Sequence, residues 1–305
     1  MSNKIKIVEQ DIIFLSYDEP NAEKNYADLC QKIPWAKRVH GVKGSDAAHK
    51  ACADISETEH FVTVDGDNQI DPQFLVQEID LDELGLTHDH VFSWCGKVNI
   101  NGLMYGNGGL KLWNKNFVNN MRTHEASSDD DVADDDVESL VEFCFHNLYY
   151  QFAENFSTSY INSSPFQAWR AGFREGVKMS LNQGQKLSDI KTAWPKNYER
   201  LLIWCSVGAD VENGLWSMYG AREGCYLTNC TDWDYTQVRD FEYLTEQWQK
   251  IYSRNDTKQE LDRLETVLQD TLGLEISTLN SHGSQFFKRV YENSSRTLKR
   301  RKSLS

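Results

Sequence analysis

The chain lacks any apolar run near the ~20 residues that span a bilayer. Its opening Met1-Ser-Asn-Lys-Ile-Lys-Ile lacks the hydrophobic core of a secretion signal. Both absences argue against membrane insertion and predict a cytoplasmic protein. No Cys-x-x-Cys occurs among seven scattered cysteines, an odd number that suits a reducing compartment rather than a disulfide framework. The Asn-x-Ser/Thr triplets at Asn155 and Asn162 are therefore read as chance. An excess of positive charge is also missing. Lysine and arginine total 32 against 46 acidic residues, a net charge of −14, which excludes a protein that coats nucleic acid with its whole surface. There is no internal repeat and no long linker.

The charge that is present is uneven. Asp129-Asp130-Asp131-Val132-Ala133-Asp134-Asp135-Asp136-Val137-Glu138 is acidic, and the segment from Lys288 to Lys302 is basic. A solvated loop and a frayed end are the ordinary readings, with a local patch for a polyanion as the alternative. The length of 305 residues allows one large domain, or one domain with a helical extension.

Asp11-Ile-Ile-Phe-Leu-Ser reads as a buried strand closed by Tyr17-Asp18-Glu19-Pro20-Asn21. Ala22 to Lys32 is helix-like, Arg38-Val39-His40 a second short strand, and Gly44-Ser45-Asp46 a turn that starts an Ala-rich helix. The next strand, Phe61-Val62-Thr63-Val64, ends in Asp65-Gly66-Asp67. This alternation predicts a parallel sheet covered by helices. Val91-Phe-Ser-Trp-Cys is a further strand. Asn101 to Gly109 is too rich in glycine for stable regular structure. Leu140 to Tyr160 is aromatic and predicts a helix. Helices are also predicted from Ser164-Pro165 through Lys178, from Trp194-Pro195 to Trp204, and after Asp240. In the last, Phe241, Leu244, Trp248 and Ile251, then Leu261, Leu264, Leu268 and Leu272, recur at helical steps on either side of Asn255-Asp256.

Asp65 and Asp67 are the strongest candidates for chemistry. Carboxylates at the carboxyl end of a parallel strand stand where such sheets bind ligands. Two of them can hold a hard divalent cation, Mn²⁺ or Mg²⁺, against a diphosphate. An acidic turn is the plain alternative. Ser16, Tyr17 and Asp18 end the first strand, where Tyr17 could stack on a base and Asp18 accept a hydrogen bond from it. Gly44 and His49 lie where a helix begins near the same edge.

Strand-Tyr-Asp-Glu, then Gly-Ser-Asp-Ala-Ala-His, then Val-Asp-Gly-Asp, resembles the nucleotide-binding half of a GT-A-fold glycosyltransferase. Tyr105-Gly106-Asn107-Gly108-Gly109-Leu110-Lys111-Leu112-Trp113 is similar to a glycine-rich segment of bacteriophage and bacterial members, as are Phe166 to Lys178 and Val207 to Gly214. The resemblance covers roughly residues 10 to 230. It implies an α/β fold with a GT-A-like, Rossmann-type, mainly parallel sheet flanked by helices, and a C-terminal helical extension. It divides the chain into a catalytic domain at 1–235, with a nucleotide-sugar and metal half at 1–115 and an acceptor half at 116–235, and an extension with a basic tail at 236–305.

The resemblance further implies a UDP-sugar donor and a divalent metal. Gly108, Gly109 and Lys111 would then lie near the donor sugar or acceptor, with Trp113 in the core. Trp169, Arg170 and Arg174, with Lys178, would contact the acceptor or a phosphate; salt bridges to the acidic loop are the alternative. A general base for the acceptor hydroxyl is sought among Asp136, Asp210 and Glu212, and a third metal ligand at His146 or His282. The phage likeness points to 5-hydroxymethylcytosine in DNA as acceptor, with a glycan or lipopolysaccharide precursor competing. A binding-only protein and a nucleotidyltransferase are the other classes. The latter would carry a glycine-rich loop after the first strand, where this chain has Tyr-Asp-Glu-Pro-Asn.

Overall fold

A run of β-branched and aromatic residues, Asp11–Ser16, forms strand β1, followed by helix α1 (Ala22–Lys32) and strand β2 (Lys37–His40). Helix α2 (Ser45–Ile55) leads into β3 (His60–Asp65) and, after a two-residue turn, β4 (Asn68–Ile70). The remaining strands of the sheet are β5 (Val91–Val98), β6 (Met104–Tyr105), β7 (Leu110–Asn114) and β8 (Tyr149–Ser159). The structure, a computed structural model, describes residues 3–106, 109–123, 140–141, 147–182, 184–253 and 257–291.

The strands lie in the order β2-β1-β3-β7-β5-β8-β4, with β6 beside β5. β2, β1 and β3 are parallel, and β5 and β8 are parallel to each other. β7 runs antiparallel between β3 and β5, and β4 is antiparallel to β8. The sheet is thus mainly parallel and covered by helices, as the alternating pattern predicts.

Its two faces bury different sets. On one, Ile12, Phe14, Val62, Val64, Phe92, Trp94, Leu110 and Leu112 pack with Ala22 and Leu29 of α1. On the other, Ile13, Phe61, Val91 and Trp113 pack with Cys52 and Ala53 of α2. Each large apolar side chain so buried stabilises the fold by about 1.5–3 kcal/mol relative to exposure. Tyr149–Ser159 is a strand, not the helix expected from its aromatic content. Tyr150, Phe152 and Phe156 pack against the α1 face, while register shifts between Gln151 and Asn155 and between Asn155 and Ser157 break the two-residue alternation.

The chain separates into two compact units. The first holds residues up to Val98 and Met104–Tyr160; the second holds Asn99–Leu103 and Ile161–Glu292. The division differs from the expected boundaries at 115 and 235. Within the second unit the helices are α3 (Pro165–Met179), α4 (Pro195–Trp204), α5 (Gly214–Cys230), α6 (Phe241–Tyr252), α7 (Thr257–Leu272) and α8 (Ser281–Val290). Ser164 caps α3, accepting the Gln167 N–H at 3.1 Å, with Pro165 in the first turn as predicted. Leu244 and Ile251 of α6 and Leu261 and Leu264 of α7 share one core with Trp169, Phe173 and Tyr219. The expected extension is therefore packed into the same unit as α3 and α5.

Glycine spacing sets the closest helix contact. A Cβ on Gly172 or Gly176 of α3 would stand 1.9 Å from Ser217 O or 2.2 Å from Ala221 O. One on Gly220 or Gly224 of α5 would stand 2.1 Å from Trp169 O or 2.4 Å from Phe173 O. Two glycine pairs at four-residue spacing thus bring the helix backbones into direct contact. Among the described residues, no helix is long and apolar enough to cross a membrane.

Candidate functional site

β3 is apolar and β-branched until its last residue, so the sheet delivers Asp65 at its carboxyl edge. The Asp65 N–H donates to Gly109 O at 2.9 Å, which ties the Asp-Gly-Asp turn to the glycine-rich segment. A Cβ on Gly109 would lie 2.2 Å from Asn68 Nδ2 and 2.9 Å from Asp65 Cβ. Glycine is required there by packing between the two motifs.

The turn itself is held from several sides. Asn25, 1% exposed, donates to Gly66 O at 3.0 Å and accepts from Gln69 Nε2 at 3.0 Å. The Tyr160 N–H donates to Asp67 O at 2.7 Å. A Cβ on Gly66 would meet Glu19 Oε2 at 2.6 Å, so the absence of a side chain lets Glu19 lie against the turn. Glu19 also accepts the Tyr17 N–H at 2.8 Å, shaping the loop after β1. Asp67 accepts from Asn68 Nδ2 at 2.6 Å, and Asn68 in turn accepts from the Ser159 hydroxyl at 3.0 Å. The part-buried Asp65 carboxylate accepts no hydrogen bond from the described residues. A hard cation suits such a carboxylate. Among the described residues no three of His, Cys, Asp and Glu converge to form a ready metal cage. A cation at this edge would have to be held by one or two carboxylates, water and substrate phosphate, a manner usual for Mg²⁺.

His49 and Lys111 stand near Asp65. His49 Nδ1 lies 2.8 Å from Ser45 O. A carbonyl can only accept, so the proton of the neutral ring belongs on Nδ1 and the Nε2 lone pair is left open. Burial, then repulsion from Lys111, lowers the His49 pKa against the opposing pull of Ser45 O, Asp65 and Asp46, so the ring is neutral at pH 7. It packs edge-on against Trp113, with ring centroids 4.9 Å apart. Trp113 is a core residue, as expected, and its indole N–H donates to Thr63 Oγ1 at 2.8 Å. The Lys111 ammonium makes no hydrogen bond or ion pair with the described residues.

Other expected contacts divide. Tyr17 is 48% exposed and Asp18 is exposed, so both side chains are accessible at the edge of the sheet. Ser16 is not: its hydroxyl lies 3.1 Å from Arg38 Nε and 3.0 Å from His40 Nδ1, in a network that joins β1 to β2. Gly44 adopts a left-handed φ of +90° at the start of α2, where no side chain caps the first turn. Gly108, Asp136 and His146 lie outside the described residues.

Asp210, Trp169, Arg170 and Arg174 belong to the second unit. The Asp210 side chain is 6% exposed and paired with Lys288 at 2.5 Å. Lys288 also donates to Ile100 O at 3.2 Å, and Ser284, one turn earlier on α8, accepts the Gly208 N–H at 3.2 Å. α8 thus anchors the loop that carries Asp210, while Glu212 on that loop is exposed. His282 is exposed on α8. Trp169 cannot present a face to an acceptor as expected. It is fully buried, and its indole donates to Glu223 at 2.8 Å. Arg170 lies 5.4 Å and Arg174 5.6 Å from the Phe241 ring centroid, a cation–π pairing.

Nothing in the local pattern around Arg222 marks it as structural. It is fully buried and donates to Cys205 O at 2.9 Å, Leu261 O at 2.8 Å and Thr278 Oγ1 at 3.0 Å, and it pairs with Glu265 at 2.9 Å. A cleft of ≈ 470 Å³ in this unit, lined by Asp189, Lys191, Asn229 and Gly273 among others, gathers none of the expected residues.

No protein-family model and no curated protein matches the chain. Twelve solved chains match it in structure. One is a glycosyltransferase involved in glycosylation of the major capsid of PBCV-1, 13% identical with a TM-score of 0.31, covering 50% of this chain and 94% of that one. Another is the inositol-1-phosphate CTP transferase from T. maritima, 12% identical with a TM-score of 0.28, covering 48% and 68%. A third is a glucose-1-phosphate thymidylyltransferase from Bacillus anthracis, described as such in complex with sucrose, 9% identical with a TM-score of 0.27, covering 49% and 89%. Each likeness spans about half of this chain and is too distant to transfer a substrate.

Proposed function

We propose that this chain is a metal-dependent glycosyltransferase that moves a sugar from a UDP-sugar to an acceptor hydroxyl. One observation carries the reading. Asp65, at the carboxyl end of a central parallel strand with a carboxylate that accepts no hydrogen bond from the described residues, is locked by its main chain to the glycine-rich segment that bears Lys111. Ligands bind at that edge of such sheets. Asp65 and Asp67 would hold Mn²⁺ or Mg²⁺, which when bound neutralises charge on the departing diphosphate. Tyr17 offers an exposed ring for uracil and Asp18 an acceptor for it. Lys111 offers a point charge to an anionic oxygen. The acceptor oxygen forms a bond to the anomeric carbon as the bond to UDP breaks, and a general base takes the acceptor proton. Asp136 and Asp210 remain the named candidates for that base. The Asp210 carboxylate is engaged by Lys288 in this structure, and Glu212 stands exposed two residues on.

For the acceptor, the phage likeness of the sequence supports 5-hydroxymethylcytosine in DNA. A glycan or lipopolysaccharide precursor competes. The test is UDP release from a panel of UDP-sugars with Mn²⁺, with and without hydroxymethylated DNA. Release that depends on the DNA, with label reaching it, supports both halves. Release without label on DNA removes the DNA acceptor alone. Tight UDP binding without release under any acceptor leaves a binding module, and no binding or release removes the glycosyltransferase.

A further inference from the structure

The sheet face that carries Asp65 changes character along its strands. Residues paired across neighbouring strands point to the same face. On this face the first row is apolar, with Phe61 paired to Trp113 and Val91 paired to Tyr149. The next row should continue the core. Instead Thr63 pairs with Lys111, Lys111 with Ser93, and Ser93 with Gln151. The row after that contains Asp65. Four polar side chains in register across β3, β7, β5 and β8 thus run beneath the Asp65 edge.

Two of the four are engaged by the fold. Thr63 accepts from Trp113, and Gln151 accepts from the Tyr149 hydroxyl at 3.1 Å while donating to Phe152 O at 3.1 Å. The other two are not. Ser93 is 0% exposed and its hydroxyl has no hydrogen-bond partner among the described residues, and Lys111 across from it has none among them either. A buried hydroxyl without a partner costs free energy in the unliganded protein, and the half-buried Lys111 ammonium across from it is held by no ion pair among the described residues. Side by side and next to Asp65, whose carboxylate accepts no hydrogen bond from the described residues, they mark capacity kept for a ligand.

We propose that Lys111 and Ser93 form the subsite for the sugar-phosphate half of the donor, with Lys111 meeting an anionic oxygen and Ser93 a sugar hydroxyl. This rests on the glycosyltransferase reading and deepens it. The Ser93 hydroxyl is closed to solvent here. Lys111 is its cross-strand neighbour, on a flexible four-carbon stem. The anionic oxygen belongs either to the diphosphate or to a carboxylate on the sugar, and the assignment makes the two separable.

The experiment is calorimetric titration of the full chain with UDP, UDP-glucose, UDP-galactose, UDP-arabinose and UDP-glucuronate in Mn²⁺, for the wild type, Ser93→Ala and Lys111→Met. Circular dichroism checks that each is folded. The wild type should bind at least one UDP-sugar more tightly than UDP. Ser93→Ala should leave UDP affinity within about twofold and weaken that sugar about fivefold, the scale of one hydrogen bond. Lys111→Met should weaken UDP and every UDP-sugar together if the anion is phosphate, and UDP-glucuronate alone if it is a carboxylate. A Ser93→Ala protein with an unchanged ratio of UDP-sugar to UDP affinity overturns the subsite while leaving the glycosyltransferase reading intact. A wild type that binds UDP but prefers no UDP-sugar also overturns the subsite. A wild type that binds none of the five removes the proposed function together with the subsite.

Discussion

The Asp65 N–H donates to Gly109 O at 2.9 Å, and that contact joins two sequence motifs more than forty residues apart into one edge of the sheet. Gly109 is closed to any side chain by Asn68 and by Asp65 itself. Gly109→Ala should therefore destabilise the fold by about 1–3 kcal/mol, the usual cost of overpacking. It should also displace Asn68, which donates to Asp67. Urea unfolding and Mn²⁺-dependent UDP binding check both halves. A variant of wild-type stability and affinity would show that the segment yields freely.

The two aspartates should respond differently to truncation. Asp65 accepts no hydrogen bond from the described residues, so Asp65→Ala should change stability by only about 0.5 kcal/mol. Asp67→Ala removes the acceptor of Asn68 Nδ2 and should cost about 0.5–1.5 kcal/mol. Both should lower Mn²⁺-dependent UDP release by about 10²–10³, the scale for losing an electrostatic stabiliser of developing charge. Retained release in Asp65→Ala would remove the metal assignment.

Much of the first unit could be read directly from the chain, and the reasons are local. α1 spans the expected residues, and β1 and β3 end where their apolar runs meet polar loops. The Asp65-Gly66-Asp67 turn at a strand end was readable because its residues are neighbours in sequence, whereas its tie to Gly109 is a tertiary contact. β8 was not, because its bulges hide the two-residue period that identifies a strand. The α3 and α5 glycines are places where one helix backbone approaches another, a pairing that only the tertiary structure brings together. Trp169 and Arg222 show the limit most clearly. Trp169 was expected at a contact and Arg222 had no expected role, and tertiary packing buries both.

The helix crossing sets two effects against each other in one substitution. Gly220→Ala gains about 1 kcal/mol of intrinsic helix propensity. Its Cβ would stand 2.1 Å from the main-chain Trp169 O, which no side-chain rotation relieves. Separating two packed backbones typically costs about 1–3 kcal/mol or more, so the clash wins and the variant should melt earlier. A rise in melting temperature would mean that α3 and α5 are not in contact at this point.

Arg222 is the clearest test of the second unit. Replacing it with Ala leaves Glu265, Cys205 O, Leu261 O and Thr278 Oγ1 without the donor they share. Breaking a buried pair in this way should cost about 3–5 kcal/mol. Arg222→Met fills more of the volume and should cost less, and Arg222→Met with Glu265→Gln less again. Equal losses in the three variants, measured by urea unfolding, would show that the charge pairing is irrelevant.

Histidine burial sets the response to acid. Burial lowers the pKa of His60, opposed chiefly by its contact with His88 O at 2.7 Å, and burial likewise lowers those of His49 and His90. Each native ring therefore resists a proton that the unfolded chain accepts near its ordinary value of about 6.5. Below that value the unfolded state binds more protons, so stability falls as pH falls. The loss begins near pH 6.5 and levels off once pH passes below the depressed native values. Carboxylates titrate mainly below this window. Urea unfolding at pH 7.5, 6.5 and 5.5 should show a steady decline, and His60→Gln should flatten it. The same stability at pH 7.5 and 5.5 would mean that these rings take up protons in the native state as readily as in the unfolded chain.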